Sequence, residues 1–348
     1  MIQLKFVLFS LMNNHQNRNE TEVFQGVLKQ ALAAERLGFD AYGVGERHGE
    51  PFLCSSPAVV LTAIAAQTSR IRLMSMVTVM SILDPVRVAE DYATLDHLSG
   101  GRFEMVIGKG NDPRHPALFG IKEEEQWASM AERYGLLKKL WSEENVTWSG
   151  DFRTPLDGVT VKPRPFQKKI PIWHGSASSE LSTELAAKHN EPIFSSNTFH
   201  PLSKYKRLID HYRSRLEFHG HDPAQAVVGA GARGLYIADS AEEAIKRYRP
   251  HYNQGMETAS SKFNDSPFKS LEDHIERGSA LVGTAEQVVE KLLAYHKAYG
   301  HKIQSISVDG LSGTEQEEQL ERFADDVMPV LRREIPNTLW EESETALI

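Results

Sequence analysis

IRLMSMVTVMSILDPVRVAEDYATLDHLSGGRFEMVIGK, residues 71–109, decides the fold of this chain. Residues 71–79 are a nearly unbroken apolar run, the composition of a strand buried on both faces. Asp84 is a good N-cap, and Pro85 follows at the first helical position. Val86, Val88, Ala89, Tyr92 and Leu95 recur at helical spacing and give one apolar stripe. Ser99-Gly100-Gly101 ends that helix, and residues 103–107 read as a second strand. The unit is strand–helix–strand, so its crossover is right-handed. It ends on Gly108-Lys109-Gly110, where open backbone and a cation meet at a strand's C-terminal end.

The same alternation extends outward. Residues 4–9 read as a strand, 21–37 as a helix closed by Gly38, 39–45 as a strand and 57–67 as a helix. Gly43 and Gly45 punctuate that second strand, so something is expected to approach its backbone closely. Beyond residue 110, a loop over 111–119 leads to a helix over 123–141. Residues 143–169 read as an excursion carrying a hairpin. Strands are expected at 170–174, 192–195, 227–237 and 303–308. Helices are expected at 179–188, 200–218 and 315–333. Ser240 with Glu243, and Thr284 with Gln287, are spaced as capping boxes for two more. Residues 257–280 are polar and weakly patterned, as an active-site loop would be, and the tail past Pro336 reads as loose. Eight strands alternating with helices, without a break in composition, argue for a TIM (β/α)8 barrel with insertions as one domain over residues 1–348. A doubly wound open sheet is the structural competitor. The barrel predicts that chemistry sits in the loops after the strands.

Bulk properties exclude several classes. The chain has 348 residues, a net charge of -8 and no basic block, so neither nucleic acid nor an anionic membrane is an expected partner. No apolar run approaches the roughly 20 residues of a membrane span. MIQLKFVLFS lacks the basic flank and cleavage site of a signal peptide. A single cysteine, Cys54, allows no intrachain disulfide and fits a reducing cytoplasm; it reads as a structural thiol.

The polar residues at the strand ends are the candidates for function. They are Ser10 and Asn13, then Glu46-Arg47-His48, Thr78, Lys109 and Asn111, then His174 with Ser176, Ser178 and Ser179, and finally Ser195, Ser196 and Asn197. HGSASSELST, residues 174–183, is rich in hydroxyls and precedes a helix. It suits an anion at a helix N-terminus, or ordinary serine capping. Gly108-Lys109-Gly110 lacks the Walker spacing, and no G-x-G-x-x-G stands between a strand and a helix. Glu46-Arg47-His48 suits an ion pair at a barrel mouth or an acid/base group, His48 being the residue that titrates near neutrality. Glu46 and His48 with His174 are the nearest approach to a zinc set, but no H-x-H or H-E-x-x-H occurs, and no metal is expected. His189, His211, His219 and His296 read as surface residues, and Trp127, Trp141, Trp148 and Trp173 as core.

The order of these motifs resembles the bacterial luciferase-like family of flavin-dependent monooxygenases. The opening stretch is similar to the family's strand, D/H-P-V-R helix and S-x-G-R-F strand. AERLGFDAY followed by Glu46-Arg47-His48 is similar to its second strand and E-H-H cluster. Pro171-Ile172-Trp173 entering HGSASSELSTELAA resembles its fifth strand and phosphate turn, and Phe323-Ala324 with Val327-Met328-Pro329 its terminal helix. The resemblance implies a TIM barrel that uses reduced FMN as co-substrate with O2. It implies a flavin reductase partner that supplies the reduced FMN, a small organic substrate, and a homodimer through the second and third helices. Met76, Val77 and Thr78 would lie against the flavin ring, with a cis peptide at Met76-Val77. Lys109 would stand near the flavin, and Ser178, Ser179 and Ser182 would hold its phosphate. His48 would be the acid/base group beside Glu46 and Arg47, because Arg47 stands where the family often has histidine and stays protonated. That departure leaves a non-catalytic flavin-binding protein as an alternative. A deazaflavin-dependent oxidoreductase is another.

Overall fold

A computed structural model describes residues 3–15, 18–260, 267–337 and 339–340. Its frame is eight parallel strands: β1 Lys5–Ser10, β2 Ala41–Val44, β3 Arg72–Val79, β4 Phe103–Gly108, β5 Ile172–Ser176, β6 Ile193–Ser195, β7 Val228–Ala230 and β8 Ile303–Ile306. Each strand pairs with the next, and β8 closes on β1, so the sheet is a closed barrel and not an open one. Around it lie α1 Glu20–Arg36, α2 Pro57–Ala65, α3 Pro85–Leu98, α4 Gln126–Ser142, α5 Glu180–Lys188, α6 Leu202–Phe218 and α7 Ala241–Ser260, then helices at Ala285–Tyr299 and Gly313–Arg322.

The helices start where the sequence places caps. Asp84 accepts from the Val86 N–H at 2.9 Å and opens α3. Thr284 and Gln287 exchange both bonds of a capping box, and the Ser240 hydroxyl accepts from the Glu243 N–H. Arg102 explains why an arginine follows the glycines after α3. Its guanidinium reaches the carbonyls of Ala65, Thr68 and Ile71 at 2.7 to 3.1 Å, closing the C-terminal end of α2 onto β3.

The barrel interior is packed at its N-terminal end by Val7, Ala41, Met74, Val106, Trp173, Phe194 and Ile303. Glu104 is buried there between Arg72, at 2.8 Å, and the Trp173 indole N–H, at 2.7 Å. Lys5 and Arg72 lie over the Trp340 ring, which packs with Leu339 against the same cluster. The described part of the tail is therefore a plug and not a loose end, because the barrel bottom needs apolar cover. Residues 338 and 341–348 lie outside the described residues.

Other expectations change in detail. The hairpin over 143–169 is present, Val146–Trp148 pairing antiparallel with Leu156–Val159. The segment expected as one strand over 227–237 is two: β7 belongs to the barrel, while Leu235–Ile237 pairs with Leu281–Gly283 outside it. The stretch 257–280 is not an irregular loop where it is described: α7 extends to Ser260 and another helix spans Leu271–Arg277, residues 261–266 lying outside the description. The loop 111–119 contains a helical turn, His115–Leu118. The final helix is broken by a π turn at Phe323–Val327, just before Pro329, which cannot donate to a preceding turn.

Candidate active site

A cavity of about 660 Å³ opens at the C-terminal ends of the barrel strands, where the barrel reading places chemistry. Its floor comes from one irregularity. Along β3 and β4, Met76 is opposite Val106 and Thr78 is opposite Ile107, so Val77 is an extra residue with no partner. The Met76–Val77 peptide is cis, at the position the resemblance implies. The Val77 side chain then lies over Gly108 of β4 and Gly175 of β5. A Cβ on Gly108 would stand 2.9 Å from a Val77 methyl, and one on Gly175 only 2.7 Å from the other. Met76 fills the space beside Gly43, where a Cβ would meet its sulfur at 2.4 Å. Close approach to the second strand is thus made by Met76, not by a ligand. The result is an apolar floor formed by Met76 and Val77, with polar groups gathered at its edges.

At one edge of this floor stand Lys109 and the serine turn after β5. The Lys109 ammonium donates to the Gln126 amide oxygen at 3.1 Å, and partial burial lowers its pKa, with Glu123 opposing. Ser179 caps α5 by accepting from the Leu181 N–H, and Ser182 donates to Ser176 at 2.7 Å. Ser176, Ser178, Ser179 and Ser182 all line the cavity, as do Lys109 and Trp127. Hydroxyls, a helix N-terminus and a cation here form a donor set that suits a phosphate. Two glycines under the apolar floor leave room for a planar ring.

The Glu46-Arg47-His48 cluster divides its roles. Glu46 is buried, and its carboxylate accepts from the Val79 N–H at 2.9 Å, pinning the backbone just past the extra residue. Its other oxygen accepts from His48 Nε2 at 2.9 Å. His48 is packed against the His115 and Phe119 rings and is not among the cavity-lining residues. The ring expected as an acid/base group thus stands just behind the cavity wall, bonded through Nε2 to Glu46. The His48 backbone N–H donates to His115 Nε2, which leaves the proton of a neutral ring on Nδ1. His115 lines the cavity, burial pushes its pKa down to about 4 against the pull of Asp112, and Nδ1 has no partner among the described residues. Arg47 lines the cavity with its guanidinium 5.2 Å from the Phe52 ring.

Of the residues singled out from the sequence, the cavity brings together Asn13, Glu46, Arg47, Met76, Val77, Lys109, Asn111, Ser176, Ser178, Ser179, Ser182 and Ser196. Thr78 points the other way, its hydroxyl bonded to Ser75 and to Tyr92 of α3, because the extra residue reverses the alternation after Val77. His174 also faces outward, bonded to buried Glu191 at 2.8 Å, so it cannot join Glu46 and His48 around a metal. Cys54 is buried and its thiol is pushed up to about 12, which makes it a structural thiol. The helix histidines are half-buried and not free on the surface; His219, for example, bonds Glu184 at 2.8 Å. Among the described residues no helix is long and apolar enough to cross a membrane. Sequence reading missed His115, Trp127 as a wall of the cavity, Gln126, and a group on the β7 side comprising Arg233, Tyr248 and Tyr252. Gly231-Ala232-Arg233-Gly234 was the available signal, since paired glycines around an arginine mark the end of a strand.

Comparison with known proteins agrees with this geometry. The family model for luciferase-like monooxygenase matches residues 4–302. The oxygenase component of a flavin-dependent trigonelline monooxygenase from Acinetobacter baylyi is 23% identical over 94% of this chain and 95% of that protein. The monooxygenase RslO1 from Streptomyces bottropensis superposes with a TM-score of 0.84 at 23% identity, over 94% of this chain and 99% of that one. The oxygenating constituent of 3,6-diketocamphane monooxygenase from Pseudomonas putida, a type II Baeyer-Villiger enzyme solved with FMN, gives 0.78 at 20% identity over the same shares.

Proposed function

The chain belongs to the luciferase-like monooxygenase family and is an enzyme of the flavin-dependent monooxygenase kind, and from that premise we propose that it is the oxygenase of a two-component system using reduced FMN and O2 on a small organic substrate. The observation that carries the cofactor choice is the floor of Val77 over Gly108 and Gly175, running to Lys109 and the serine turn. Reduced flavin, when bound, supplies the electrons with which O2 is activated. The residues of this chain do the rest. Met76 and Val77 support the ring face. Ser178, Ser179 and Ser182 with Lys109 hold the phosphate, Gln126 orienting the lysine. Glu46 keeps the backbone after Val77 in place, and His48 is a positioning residue that holds Glu46 and His115. His115 packs against His48 in the cavity wall, and Arg47 brings a fixed positive charge.

The protein works in the cytoplasm as a single-domain barrel, and a flavin reductase delivers reduced FMN. It forms a homodimer through α2 and α3, where Val59 is 67% exposed and Leu98 60% exposed. Mixing the protein with reduced FMN in aerated buffer tests the function. Flavin reoxidation at a rate different from that of free flavin is expected. An unchanged rate, with FMN unbound, contradicts the proposal, and tight binding of deazaflavin F420 in place of FMN reassigns the cofactor.

A further inference from the structure

Arg233 stands three residues past β7 and lines the cavity. Its backbone N–H donates to the Ser279 hydroxyl at 3.1 Å, which fixes the residue to the neighbouring loop. Its guanidinium lies 5.8 Å from the Phe199 ring, and Tyr248 and Tyr252 of α7 line the same wall. Among the described residues no carboxylate forms an ion pair with it. The acidic groups on this side are committed elsewhere: Asp309 to the Ser10 hydroxyl and the Leu11 N–H, Glu315 to Ser312 and His251, and Asp273 to Arg277. Arg233 also lies two strands away from the serine turn after β5, where Lys109 already supplies a cation.

A half-buried guanidinium in a cavity, without a carboxylate partner among the described residues and walled by aromatic rings, offers a fork of donors at low dielectric. We infer that the β7 side of the cavity binds the substrate, and that the substrate is an organic carboxylate with an apolar, aromatic-sized body: its carboxylate sits on Arg233 and its body against Phe199, Tyr248 and Tyr252. This rests on the reading of the cavity as a flavin site. The tyrosine hydroxyls stay protonated, since burial raises both pKa values, so neither phenol repels the anion. Arg47, on the far side of β1, adds positive potential without an ion-pair partner among the described residues.

The test is titration of the FMN-loaded protein with benzoate, phenylacetate and 2-naphthoate, each against its neutral amide, read by the absorbance change of bound flavin. At least one carboxylate is expected to bind saturably, with its amide at least about tenfold weaker. Arg233→Gln should weaken that carboxylate at least about tenfold while FMN affinity stays within about twofold. Arg233→Lys should restore part of the loss, and a thermal melt of each variant close to that of the wild type separates lost binding from lost fold. Four results overturn the inference: no carboxylate of the panel binds, the amide binds as tightly as the acid, Arg233→Gln leaves the carboxylate unaffected, or it weakens FMN by the same factor. If the wild type fails to bind FMN, the flavin reading falls alone. Calorimetric titration of the flavin-free protein with the same pairs then decides the carboxylate site by the same ratios.

Discussion

The two sides of the cavity are built on opposite principles. From β3 to β5 the wall is shaped by missing side chains: Gly108 and Gly175 leave the space that Val77 covers, and the serine turn offers short hydroxyls and backbone. From β6 round to β2 it is shaped chiefly by large side chains, Phe199, Arg233, Tyr248, Tyr252 and Arg47, with Gly231 and Gly234 as its tight points against the Ser196 carbonyl and the Tyr248 hydroxyl. The first side is intolerant of added volume and suits a flat ligand of fixed shape. The second is adjustable, because exchanging a long side chain changes charge and reach without moving backbone. A fixed cofactor on the rigid side and a variable substrate on the other follow from that difference.

The difference can be broken most severely at the floor. Gly175→Val places a Cβ 2.7 Å from a Val77 methyl and 3.2 Å from the Ile107 carbonyl, so backbone must shift. FMN affinity is expected to fall by about 100-fold or more and stability by about 1–3 kcal/mol. Adding Val77→Ala should return part of the stability, and a floor that does not involve Val77 would show no such rescue. Glu46→Ala comes next. It leaves the Val79 N–H and His48 Nε2 without their acceptor, and a loss of about 2–4 kcal/mol in denaturant unfolding is expected.

Acid should act at buried histidines, one of which, His274, packs against Tyr252 of the second wall. Burial pushes the His274 and His301 imidazoles down to about 3, below the usual value near 6.5, so the unfolded chain binds more protons between those limits. The stability they contribute is complete above pH 6.5 and is lost as pH falls toward 3. At pH 5 the loss is about 2 kcal/mol for each histidine, read as a falling Tm, and His301→Gln should flatten that profile. The smallest effect belongs to Cys54. Its buried thiol, held up to about 12, should resist iodoacetamide in the native protein, and Cys54→Ala should leave FMN affinity unchanged.

The rigid side was legible in the sequence because its signals are local. Asp84-Pro85 sets α3, the glycines of 108–110 end β4, and HGSASSELST runs from β5 into α5 within a few residues. The adjustable side was not. Residues 227–237 are apolar apart from Arg233 and carry no strand alternation, so periodicity could not show that the barrel strand stops at Ala230 and that Leu235–Ile237 pairs elsewhere. That hid Arg233 in the middle of an expected strand. His115 was hidden for another reason: its place depends on Asp112, Arg114 and the His48 backbone, contacts between residues up to 67 positions apart. Thr78 was misplaced because one unpaired residue reverses which face the next side chain takes.

The central claim is that the Lys109 and serine-turn edge of the rigid side holds the flavin phosphate. The direct measurement is FMN binding, by fluorescence titration, to the wild type and to Lys109→Ala/Ser182→Ala, with riboflavin, which lacks the phosphate, as the control. The double variant should bind FMN at least about tenfold more weakly, losing charge-assisted bonds, while riboflavin affinity changes little. Equal FMN affinity in the variant and the wild type would contradict the assignment.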